Sequence, residues 1–196
     1  MTPTSIDEAI AKLQDSYLDY MAALKNVLDM GEATIEPLVA ALNHRHANPI
    51  AKALGLMMEK PGAEKAIPQL LHWLVTQSPL YPDVLDALIR AGDKPANLVF
   101  IQIREYANKG DDEAVRHLFD LACRFSTSVQ PQVVNIAIEL LGYSNPHIRE
   151  TAADAIGQIG LPNGQKGKAI LQFLIQNDSV GHVKEAAAEA LEKLGD

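Results

Sequence analysis

Apolar residues along this chain recur at helical spacing within a phrase that returns six times, at 23–31, 54–62, 84–92, 117–125, 152–160 and 187–195. Successive phrases end 31, 30, 33, 35 and 35 residues apart, and all but the one at 117–125 end on glycine. A step of that length, with a 3.6-residue period inside each unit, predicts a helical solenoid whose repeats bury their apolar stripes against one another.

Start and stop signals agree with this reading. Asn48-Pro49, Ser78-Pro79 and Asn145-Pro146 each place a capping side chain before a proline, which suits the first helical position because it has no amide hydrogen to leave unpaired. Tyr81-Pro82 offers an alternative start for the second of these helices. The glycines at 31, 62, 92, 160 and 195 fall where the first helix of each pair should end, since glycine takes the left-handed conformation at little steric cost.

A second amphipathic segment follows each stop, so each repeat is expected to be a helical hairpin. Aligned on Leu38, Leu70, Val99, Val133 and Ile170, that position and those one and four later are almost always apolar and form the buried stripe. The residues two later (Ala40, His72, Ile101, Asn135, Gln172) and six later (His44, Thr76, Glu105, Glu139, Gln176) lie opposite it and should face solvent. Trp73, with Ala41, Gln102, Ile136 and Phe173, lies on a flanking row, either as packing between repeats or as a partly exposed anchor.

Residues 1–196 are therefore expected to form a single solenoid with repeats near 5–46, 47–77, 78–110, 111–143 and 144–177. Ser5-Ile6-Asp7-Glu8 reads as a capping box opening a helix over the first repeat, and 178–196 reads as a polar C-terminal capping helix. The glycine-rich stretch 160–168 is expected to be the most mobile internal loop.

Composition narrows the class of partner. The net charge of −8 argues against nucleic acid and anionic membranes, both of which need clustered Lys and Arg, and favours a neutral or basic protein or peptide. The single Cys123 cannot pair within the chain and sits among apolar neighbours, as a structural thiol in a reducing compartment would. With neither a signal-peptide pattern at the N-terminus nor an apolar run of about 20 residues, a cytoplasmic location is expected.

Two C-terminal phrases, NPHIRETAADAIGQIG at 145–160 and VKEAAAEALEKLG at 183–195, carry a basic residue, a ladder of small residues and a terminal Ile-Gly or Leu-Gly. They resemble HEAT-like repeats of the phycobilisome-lyase (PBS lyase) type, with Arg149 and Lys184 in the basic position and Asp154 in the acidic one. The resemblance implies an all-α, right-handed α-α superhelix of about five hairpins plus a terminal helix, whose second helices line the concave surface. It also implies a protein-binding scaffold or adaptor, or alternatively an accessory protein that handles a bilin or its apoprotein. On that basis His72, Trp73, Thr76, Gln102, Glu105, Asn135 and Glu139 are the candidate binding residues.

Catalytic chemistry finds little footing. HEAT-like di-iron hydroxylases carry His-Glu pairs, and none of the six histidines here precedes Glu. Alternate residues of His44-Arg45-His46 point apart on a helix, while His72, His117, His147 and His182 stand isolated along the chain. Asp111-Asp112-Glu113 suits the first turn of a helix, and 160–168 lacks the spacing of a phosphate loop. A non-catalytic protein without metal or cofactor is expected.

Overall fold

The computed structural model describes residues 5–15, 20–42, 47–76 and 82–195. Among them every regular element is helical, as the period requires. The chain divides into two compact units, Met1–Pro95 and Ala96–Asp196.

The first unit comprises α1 (Ile6–Asp15), α2 (Tyr20–Met30), α3 (Ile35–Ala41), α4 (Ala47–Leu56), α5 (Ile67–Thr76) and α6 (Pro82–Arg90), with 3-10 turns at Gly31–Thr34 and Ala63–Ala66. Helix α4 lies against α6, and α1 against α2, α3 and α4, closing a core that includes Leu13, Leu38, Leu42, Ile50, Leu54, Leu70 and Leu88. The small residues of the phrase permit a close approach: a Cβ on Gly55 would stand 2.9 Å from the Ala87 Cα. Lys94 Nζ donates to the Met58 carbonyl at 2.9 Å, tying together the turns that follow α6 and α4.

The second unit comprises α7 (Ala96–Lys109), α8 (Asp112–Ala122), α9 (Gln130–Leu140), α10 (Pro146–Ile159), α11 (Lys168–Asn177) and α12 (Gly181–Lys193). Helix α10 is the hub, packed on α8, α9 and α12, and α12 also covers α11. Gly157 repeats the Gly55 device, since its added Cβ would lie 2.8 Å from the Ala190 Cα. The repeat step is visible as direct bonds: Tyr143 Oη donates to Asn108 Oδ1 at 3.0 Å, and Asn145 Nδ2 to the Gly110 carbonyl at 3.2 Å, each pair 35 residues apart.

Most of the punctuation lies where the sequence puts it. The glycines at 31, 92, 160 and 195 follow the ends of α2, α6, α10 and α12 with positive φ, as Gly110 does at the end of α7, whereas Gly62, also at positive φ, lies six residues past the end of α4 and opens the Ala63–Ala66 turn. Asn145 caps α10, its side chain accepting from the His147 amide at 2.9 Å. Asp111 caps α8 through the Ala114 amide, and Ser5 Oγ accepts from the Glu8 amide. Helix α6 begins at Pro82, the alternative start; Ser78-Pro79 lies outside the described residues.

Three details differ from expectation. Asn48 falls inside α4, not ahead of it, and its Oδ1 is buried with no hydrogen-bond partner. Phe125 stands where the other phrases carry glycine because it is core, meeting Phe100 edge to face at 6.1 Å. The stretch expected to be a mobile loop is packed instead: Asn163–Gly167 is a 3-10 turn whose Gly164 and Gly167 are buried. Side chains there would collide with Leu194 and Ile156, so these glycines serve close contact.

Candidate functional site

The outward face of the second helices follows the predicted rows. Every described residue at the two outward positions is exposed: Ala40, His72, Ile101, Asn135 and Gln172, then Thr76, Glu105, Glu139 and Gln176. His44 lies outside the described residues, as does the rest of His44-Arg45-His46. The stripe behind these rows is buried at Leu38, Leu70, Val99 and Val133, with Ile170 half-buried.

In the second unit two of the candidates are tied into local pairs. Arg104 on α7 reaches across to Glu139 on α9, with Nε 3.0 and 3.2 Å from the two carboxylate oxygens. Glu105 accepts from Lys109 Nζ one turn along α7 at 2.7 Å, so both acidic candidates meet a cation on this surface. Asn135 is exposed, and Gln102 is half-buried with its Oε1 covered and without a hydrogen-bond partner. Two large apolar side chains stand out of the same surface, Ile101 at 61% exposed and Phe173 at 60%. In the first unit His72 and Thr76 are exposed, the Thr76 hydroxyl donating to the His72 carbonyl at 2.7 Å, and Trp73 is half-buried.

A second cluster lies on the first-helix side of the second unit, where linear reading leaves the histidines isolated. The α10 and α12 N-termini bring His147, Glu150 and His182 together, with one ligand atom of each within 4.8 Å of the others. The two imidazoles stack at 4.9 Å between centroids and 16° between planes. His147 Nδ1 lies 3.3 Å from Glu150 Oε2. His182 Nδ1 lies 3.0 Å from the same oxygen but out of line for a hydrogen bond, so this buried nitrogen lacks a hydrogen-bond partner. The grouping has a simple cause: stacking places residues one repeat apart side by side, and His147 and His182 are 35 apart, the step from Gly160 to Gly195.

Behind this cluster Arg149, in the basic position of the repeat phrase, grips Asp178 with Nε and Nη2 at 2.8 and 2.9 Å. The guanidinium holds the Asp178 carboxyl below its ordinary value, opposed by burial and helped by the Val180 amide. Asp154, the acidic position, is raised instead, chiefly by burial. Cys123 is structural: burial pushes its thiol up to about 12, and Sγ faces the Ala155 carbonyl at 3.8 Å.

Residues 102–192 match the family model described as HEAT repeats. Together with the paired helices, this likeness over 102–192 gives the chain the fold of a HEAT-type helical solenoid. It is also similar to the 26S proteasome non-ATPase regulatory subunit 1 of Dictyostelium discoideum, at 30% identity over an alignment covering 80% of this chain. The match spans 16% of that relative's length. Among the described residues no helix is long and apolar enough to cross a membrane.

Proposed function

We propose that the chain is a non-catalytic protein-interaction scaffold that engages its partner through the outward faces of its second helices. The observation that carries this reading is that two large apolar side chains on second helices, Ile101 on α7 and Phe173 on α11, stand in water, Ile101 one turn before Arg104 of the Arg104–Glu139 pair. An apolar anchor ringed by polar groups is how binding surfaces concentrate their energy. Gln102, Glu105, Asn135 and Glu139 supply that ring in the second unit, and His72, Trp73 and Thr76 are the corresponding contacts in the first. Similarity to a subunit of a large protein assembly supports a protein as the partner.

The acidic balance of the chain supports a neutral or basic partner surface, and the same charge disfavours nucleic acid and anionic membranes. A cytoplasmic setting is consistent with the unreactive lone thiol. Among the described residues nothing favours bilin handling over protein binding.

The test is site-specific photo-crosslinking in native extract, with the crosslinker placed at Ile101, Asn135 or Phe173 and, as control, at Glu185 on α12. One protein crosslinked from the three second-helix positions, and lost on Ile101→Glu/Phe173→Glu at unchanged melting temperature, is the expected result. Crosslinking from Glu185 alone would move the interaction to the first-helix surface.

A further inference from the structure

The cluster of His147, Glu150 and His182 belongs to neither the core nor the outward second-helix face. Two imidazoles and one carboxylate form a donor set suited to borderline divalent ions such as zinc, with a coordination position left for water. Magnesium and calcium prefer cages of oxygen ligands, and the cluster offers one carboxylate.

The spacing fits. Around a tetrahedral zinc with bonds of 2.0–2.2 Å, neighbouring ligand atoms stand about 3.4 Å apart. The Glu150 oxygen lies 3.3 Å from one imidazole nitrogen and 3.0 Å from the other. The His182 nitrogen is covered and spends its lone pair or proton on no hydrogen bond, which an ion beside the carboxylate would remedy. The stacked rings cannot share an in-plane ion as they stand. His147, whose side chain is 59% exposed, is the ring that would turn to bring its nitrogen inward.

We propose that His147, Glu150 and His182 bind a divalent transition metal of the zinc class and that the ion ties the start of α12 to the start of α10. Both helix N-termini present positive potential to the ion, and Lys184 follows His182 by two residues on α12. Arg149 is engaged by Asp178, which limits its repulsion.

The experiment is calorimetric titration of the full chain, free of any polyhistidine tag, with zinc chloride alone, accompanied by imidazole NMR. One equivalent should bind at micromolar concentration, the ring signals of His147 and His182 should shift while those of His72 and His117 stay, and the melting temperature should rise. His182→Ala, His147→Ala and Glu150→Gln should each weaken binding by at least about tenfold. His72→Ala and His44→Ala/His46→Ala should bind as the parent does. Absence of binding at micromolar zinc, full binding by His182→Ala, or loss of binding in His44→Ala/His46→Ala would overturn the proposal. Should a site variant fail to fold without metal, the ring signals of the parent protein decide.

Discussion

Arg149 and Asp178 form a two-pronged ion pair that is nearly sealed from water, the side chains 12% and 4% exposed. The same guanidinium donates through Nη1 to the carbonyls of Tyr143 and Ser144, at 2.8 and 3.0 Å. Asp178 also accepts from the Val180 amide at 2.9 Å, just ahead of α12. One side chain thus fastens the turn before α10 to the turn before α12. Arg149→Ala strands a covered carboxylate and two carbonyls, and should cost about 2–3 kcal/mol in urea unfolding. Arg149→Lys should recover only part, because an ammonium cannot make the fork.

The same pair predicts acid sensitivity. Asp178 is held below its ordinary value of 3.8, mainly by the Arg149 hydrogen bonds. A carboxylate with a depressed folded pKa stabilises the protein above its unfolded value, and that contribution is lost as pH falls through the folded one. Unfolding free energy should therefore drop below about pH 4, and less steeply in Arg149→Ala than in the parent. Equal slopes in urea titrations of the two proteins would remove Asp178 from the account.

Gly157→Ala places a methyl group against the backbone of Ala190, where nothing flexible can yield. Overpacking of this kind costs about 1–3 kcal/mol, and the loss should appear in equilibrium unfolding. Gly55→Ala should behave alike against Ala87. Both glycines lie inside helices, where alanine has the better propensity, so a stabilised variant would contradict the close contact.

Cys123 predicts behaviour at the alkaline end. With its thiol raised from 9.0 to about 12, first by burial and then by Asp120, alkylation of the native protein at neutral pH should be far slower than of the urea-unfolded chain. A raised folded pKa gives stability that is complete below the unfolded value and declines as pH climbs from about 9 toward 12. Cys123→Ala should flatten that decline in melting curves taken across this range.

Much of the helical pattern is legible because one period governs both burial and exposure. Ile101, Asn135, Glu105 and Glu139 are outward by the same count that buries Val99 and Val133. The His147, Glu150 and His182 cluster escapes a linear reading because ligand spacing is ordinarily sought within one element. The repeat step held the signal, since Tyr143–Asn108, Arg104–Glu139 and His147–His182 all meet at a separation of 35. The packed stretch 160–168 was hidden for another reason: glycine suits a loose loop and a tight contact equally well, and only the neighbours Ile156 and Leu194 decide between them.

The contacts of Gly55 with Ala87 and Gly157 with Ala190 also bear on how such a chain can be rearranged by recombination. At these two junctions a repeat grafted from elsewhere joins cleanly only if its first helix brings the bare residue and the following helix brings the methyl. The junction is thus keyed by two small residues about one repeat apart, and a mismatched splice fails at the seam even when both modules are sound.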